Sequence, residues 1–259
     1  MTELADVPGV IGNSARFAAA PIAGGGTSTR EWLAGNRFPT LDLSDCPALV
    51  LVAPHPDDET LGMGATAAHL AAAGVDVQVV SVSDGGGEDP ELSAYERILL
   101  ERTRTSELMN ATRILGLRQP IRLRLPDGEI SLHEERVADL LTEILDGRGP
   151  NVWCATTWRG DGHPDHEAVG RAAAVATATT GAELLEYPVW MWHWARPGDP
   201  AVPWDRALSV PASRSAVGLK QLAAQSFRSQ FEPTTTGAPP VIPRFVLSRL
   251  FAVGELVFR

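Results

Sequence analysis

Two short stretches of the 259-residue chain concentrate groups that bind metals or move protons. The first is Pro54-His55-Pro56-Asp57-Asp58-Glu59, with one imidazole and three carboxylates in five residues. His55 and Asp58 are three apart, so a tight turn aims both at one ion. Asp57 lies between them, points elsewhere and stays free to handle a proton. The second stretch is Asp161-Gly162-His163-Pro164-Asp165-His166. Pro164 suits the first position of a helix, where its missing N–H has no intrahelical acceptor. His163 is then the cap, and His166 falls in the first turn. Together the two stretches fit a catalytic zinc site, which takes three protein ligands and leaves one position open. His55 and Asp58 form the short-spaced pair, and His166 supplies the distant third ligand. Asp57 can then take a proton from the water that the metal activates. His163 can sit beside a reacting carbonyl as acid or oxyanion partner, and Asp165 can orient an imidazole from behind.

The elements predicted around these stretches place both on one edge of a sheet. Residues 48–53 form a continuous apolar run, as expected of a strand buried on both faces. The first motif follows it, and a helix over 60–73 comes next, stopped by Gly74. Further strands are predicted at 77–82, 121–125, 151–156 and 183–187, with helices at 93–115, 132–145 and from Pro164 onward. This alternation predicts an α/β fold: a Rossmann-like three-layer sandwich, its central sheet mostly parallel and its helices on both faces. Both motifs then sit at C-terminal strand ends, where open α/β sheets bind ligands. An Asp-Asp-Glu turn by itself is more often solvated, and two histidines at a helix start commonly just cap it. Three of the six histidines at two matching strand ends argue for a joint site.

Residues 1–45 read as a partly ordered lead-in, with Trp32, Leu33 and Phe38 available for packing. Residues 46–259 read as one domain. After Pro188 the pattern weakens to proline-rich segments around one helix at 213–231. Trp190, Trp192, Trp194 and Trp204 cluster there; packing is the preferred reading over stacking on sugar rings. His69, His133 and His193 read as structural or exposed, and Cys154 as a buried strand residue.

Composition narrows the class. The net charge is −10, with 32 acidic and 22 basic residues, and one lysine, Lys220. No basic surplus or run suits nucleic acid. Two cysteines, Cys46 and Cys154, are too few for a disulfide scaffold. No apolar run reaches the roughly 20 residues of a membrane span, and the N-terminus lacks a signal-peptide pattern. These features predict a cytoplasmic protein. Assembly into a homo-oligomer is left open.

At the two motifs the chain resembles the LmbE/PIG-L family of zinc-dependent N-acetylglucosaminyl deacetylases. The first motif matches the AHPDDE-type signature, with Pro54 where alanine is common. The second, His163-Pro164-Asp165-His166, matches HPDH intact. Ser83-Asp84-Gly85-Gly86 and Arg104-Thr105-Ser106-Glu107 add support, with a fainter echo at Arg228-Ser229-Gln230. The resemblance spans residues 48–190. It implies one zinc ion held by His55, Asp58 and His166, with Asp57 as general base and His163 stabilising or protonating the intermediate. Asp165 is included in the catalytic set, and Arg104, Glu59 and Asp84 are implied to touch substrate. The implied reaction removes an acetyl or other acyl group from an N-acetylglucosamine-type amino sugar or glycoconjugate. Two departures bear on substrate choice: Phe227 stands where many relatives have histidine, and Asp161 where some have an aromatic residue. The ligand set also suits iron. The alternative is a non-catalytic or nucleotide-binding module of the same fold, but no G-x-G-x-x-G follows the first strand.

Overall fold

The computed structural model describes residues 12–35, 37–87, 91–233 and 239–259. Its centre is a seven-stranded sheet in the order β3-β2-β1-β4-β5-β7-β6. The strands are β1 (Ala48–Ala53), β2 (Asp76–Ser83), β3 (Ile121–Leu125), β4 (Trp153–Thr157), β5 (Glu183–Tyr187), β6 (Ala207–Val210) and β7 (Glu255–Phe258). The first five run parallel; β7 pairs antiparallel with both β5 and β6. The strand order reverses between β1 and β4, which lie side by side with Leu49 opposite Trp153. That reversal is the crevice where open α/β sheets hold ligands, and the two motifs leave from these two strands.

Side-chain alternation along the strands splits the interior into two cores. Leu49, Leu51, Val77 and Val79 face one side with α3 (Asp58–Ala72) and α4 (Ala94–Ile114). Val50, Val52, Val80 and Val82 face the other with α5 (Glu134–Asp146) and α6 (Pro164–Thr180). This is the expected three-layer sandwich. α3 is buried almost all round, because α8 (Arg214–Ala224) packs over its outer face. Lys220 of α8 is itself buried and donates to Glu255 at 2.8 Å. Glu255 also accepts from the Ala65 and Thr66 amides of α3, each at 2.8 Å. A charge this deep is retained because it is paired and hydrogen-bonded.

Gly62 marks a close approach of α3 to the sheet. A Cβ there would lie 2.2 Å from Cδ2 of Tyr187, whose hydroxyl donates to the Val52 carbonyl at 2.8 Å. Gly62→Ala is therefore expected to destabilise by about 1–3 kcal/mol through overpacking, although alanine is the better helix former. An unchanged thermal midpoint would show that the Tyr187 ring gives way freely.

The ends of the chain carry further short elements. The lead-in contains two short helices, α1 (Asn13–Ala18) and α2 (Thr29–Leu33). Asn13 donates to the Gly160 carbonyl at 2.8 Å, beside the second motif. Trp32 is buried and Phe38 stacks on Trp204, whereas Leu33 is exposed. The short α7 (Met191–Trp194) precedes β6, and the single helix expected at 213–231 breaks at Phe227 into α8 and the one-turn α9 (Arg228–Phe231). Strands β6 and β7 and the helix α10 (Arg244–Val253) were not evident from the sequence pattern. Both cysteines are buried and free; burial pushes Cys46 up to about 11 and Cys154 to about 12. No described helix is long and apolar enough to cross a membrane.

Candidate metal centre and active site

β1 delivers His55 and α3 begins at Asp58, so one sharp turn carries the first motif. Asp57 occupies the cap position of α3, where an aspartate normally accepts from a helix N–H. Its side chain makes no such bond. Its backbone sits at φ 135°, a region that costs a non-glycine residue about 1–3 kcal/mol. The peptide between Pro56 and Asp57 is clamped from both sides. Arg104 Nη2 donates to the Pro56 carbonyl at 3.1 Å, and the Asp57 N–H donates to Glu59 Oε2 at 3.0 Å. The clamp turns the Asp57 carboxylate away from the helix end and into the cavity, 3.4 Å from Arg104 Nη2.

β4 delivers the second motif. His163 caps α6, Pro164 opens it and His166 sits in its first turn, as the spacing predicted. His55, Asp58 and His166 present ligand atoms that all lie within 4.8 Å of one another. His55 Nδ1 and His166 Nε2 each lie 3.2 Å from Asp58 Oδ2. His166 Nε2 is buried and has no hydrogen-bond partner among the described residues. A buried nitrogen lone pair aimed between a second imidazole and a carboxylate is what a divalent cation requires, so these three residues fit the metal the motifs implied. A second grouping, His55, His163 and Asp165, shares one imidazole with the first.

The electrostatics point the same way. Burial alone pulls His55 and His166 down. The carboxylates of Asp127, Asp165 and Asp58 nevertheless carry His55 well above an ordinary imidazole. Asp58 and Asp161 likewise carry His166 up to about 9. The surroundings thus favour positive charge between the two rings, which a divalent cation would also supply in exchange for protons. Burial raises Asp57 well above the usual carboxylate range, with Arg104 opposing and Asp58 adding to the rise. His163 goes the other way, held at about 3 by burial and by the neighbouring His166 and His55.

The cavity over this cluster measures about 140 Å³. His55, Asp57, Asp58, Arg104, Asp127, His163 and Asp165 form its polar part; Trp190, Val241 and Ile242 form an apolar wall. A larger cavity of about 350 Å³ lies among Trp32, Phe38, Trp192 and Trp204 and touches none of the clustered ligands. Of the four clustered tryptophans only Trp190 reaches the site, so packing accounts for most of them.

The remaining residues singled out from sequence take varied places. Arg104 is buried in the cavity wall with its guanidinium committed to Pro56, Gly85 and Asp57. Glu59 is fully buried, accepts from Thr60 and from the Asp57 amide, and does not line the cavity. Asp84 also lies outside it, in a two-point pair with Arg122 at 2.8 and 2.5 Å. Asp165 lies 3.1 Å from His55 Nε2 and accepts from the Gly128 and Ile130 amides, so it does back an imidazole.

Asp127 is the residue that sequence reasoning missed. Its Oδ1 lies 2.9 Å from His55 Nε2, and its Oδ2 accepts from the Gly87 amide at 2.6 Å. The available signal was positional: the turn holding Asp127 follows β3, on the same sheet edge as both motifs.

Comparison with known proteins fits this geometry. A family model described as PIG-L: GlcNAc-PI de-N-acetylase matches residues 50–177. The chain is 30% identical over 141 residues to diacetylchitobiose deacetylase of Thermococcus kodakarensis, covering 53% of this chain and 52% of that protein. It is 31% identical over 144 residues to the Escherichia coli protein named uncharacterized deacetylase YaiS, covering 54% of this chain and 72% of that one. The chain thus spans about half the length of the first of these relatives. The solved N,N'-diacetylchitobiose deacetylase from Pyrococcus horikoshii shares the fold, with a TM-score of 0.56, 24% identity and 74% coverage of each chain. On the shared motifs, the sequence matches and the common fold, the chain belongs to the PIG-L (LmbE-like) family.

Proposed function

We propose that the chain is a zinc-dependent amide hydrolase that removes an acetyl group from an N-acetylglucosamine-type amino sugar or glycoconjugate. The observation that carries this reading is the meeting of His55, Asp58 and His166 around one point, with Asp57 and His163 lining the same cavity. The deacetylase names of the relatives support the reaction class. A cavity of about 140 Å³ favours a short acyl group, since pockets for drug-sized ligands begin near 300 Å³.

His55, Asp58 and His166 would hold one zinc ion, which would supply Lewis acidity at the amide carbonyl and activate water near neutral pH. The chain's own groups do the proton work. Asp57, made more basic by burial, accepts a proton from the attacking water. His163 Nδ1 accepts from the Asp165 amide at 3.3 Å, so the neutral ring carries its hydrogen on Nε2. That N–H donates to the carbonyl oxygen as it gains charge. His163 thus stabilises the oxyanion, and Asp57 returns its proton to the departing nitrogen. Acetate and a free amine leave.

The test is release of acetate and primary amine from N-acetylglucosamine and its glycosides by zinc-loaded protein. Zinc bound without turnover on any N-acyl amino sugar would overturn the reading. His163→Ala should lower kcat by about 10²–10³-fold, as loss of an oxyanion donor does, with zinc content unchanged. Undiminished kcat in that variant would remove His163 from the mechanism.

A further inference from the structure

Asp161 is fully buried and its carboxylate makes four hydrogen bonds. Oδ2 accepts from His166 Nδ1 at 2.8 Å and from the Trp190 amide at 2.9 Å. Oδ1 accepts from the Val189 and Met191 amides, each at 2.9 Å. The Asp161 main chain joins the same network, its carbonyl accepting from Trp194 Nε1 at 2.7 Å.

Two consequences follow from the donor count. Three main-chain N–H groups converge on this carboxylate, and a main-chain amide can only donate. Asp161 is therefore held as an acceptor, and the hydrogen between it and His166 belongs to the imidazole Nδ1. The other ring nitrogen, Nε2, is then the one turned toward Asp58, and it is the buried atom left without a partner. The same two oxygens also pin the turn from Val189 to Met191, which places Trp190 in the cavity wall.

We infer that Asp161 is a positioning residue for the metal centre: it fixes the tautomer and aim of His166 and ties that ligand to the Trp190 wall of the substrate cavity. The inference rests on the zinc reading above. Asparagine in its place keeps the shape but turns one acceptor oxygen into an NH₂ group. If the NH₂ faces His166, the ligand loses its tautomer lock. If it faces Val189 and Met191, donor meets donor and the wall is released.

The test measures zinc affinity of the full chain by competition with a chromophoric chelator, for the wild type and Asp161→Asn. Loss of such an outer partner typically weakens metal binding 10–100-fold, and that range is expected here. Alongside it, ¹⁵N NMR of the zinc-loaded wild type should show His166 with a slowly exchanging hydrogen on Nδ1 and the metal on Nε2. The NMR measurement needs no variant, so it decides the matter even if Asp161→Asn fails to fold. Equal zinc affinity in the two proteins, or zinc on Nδ1 of His166, overturns the inference and leaves the zinc reading standing. A wild type that takes up no zinc overturns both.

Discussion

Asp57→Asn is expected to lose about 10²–10⁴-fold in turnover, the usual worth of a general base, while still binding one zinc per chain. The expectation rests on the split between neighbours: Asp58 faces the two imidazoles, whereas Asp57 faces the cavity and Arg104. Steady-state kinetics and metal analysis on the same preparation check both halves. Full activity would place the base elsewhere, and lost zinc would make Asp57 a ligand. The strained backbone sharpens the test. At φ 135° the position suits glycine better than aspartate, and substitution also removes a carboxylate crowded by Asp58 and Glu59. Asp57→Gly should therefore be inactive yet at least as heat-stable as the parent. A lower thermal midpoint would show that the contact with Arg104 outweighs the strain.

His166→Ala should abolish zinc binding. The ring is fully buried, so removing it leaves two of the three ligands and a cavity in the interior. The parent should gain stability from zinc by mass action, about 2.7 kcal/mol at a hundredfold excess over Kd. The variant should show no such gain. The measurement is the thermal midpoint with and without zinc, each repeated after chelation. A variant that still rises in midpoint on zinc addition would mean that His55, His163 and Asp165, the overlapping group, hold the ion instead.

Much of this site was legible in residue types because strand ends concentrate it. The runs at 48–53 and 151–156 announced buried strands. Once these are neighbours, the segments after them must meet at the point where the strand order reverses. The cap role of His163 followed from Pro164 alone. The partners that steer the imidazoles were harder to read. Asp127 meets an imidazole 72 residues away, and Asp161, though only five residues from His166, looks the same in sequence whether it faces water or a histidine. β6 and β7 escaped notice because each has four residues and gains its strand character only by pairing across the fold. Glu59 shows the converse: it sits inside the first motif, yet its carboxylate serves the backbone of Asp57.

The scarcity of lysine shapes how the whole molecule responds to alkali. Lys220 is the only lysine among 22 basic residues, and it is buried on the inner side of α8, where it donates to Glu255. Every other basic side chain is arginine, a much stronger base than lysine. Burial also moves both cysteines and Tyr187 upward. Few side chains are thus left to titrate between about pH 8 and 11, where lysine-rich proteins shed their positive charge. The net charge of −10 should hold nearly level across that range, and electrophoretic mobility with it. Reagents that seek lysine amines find none on the surface.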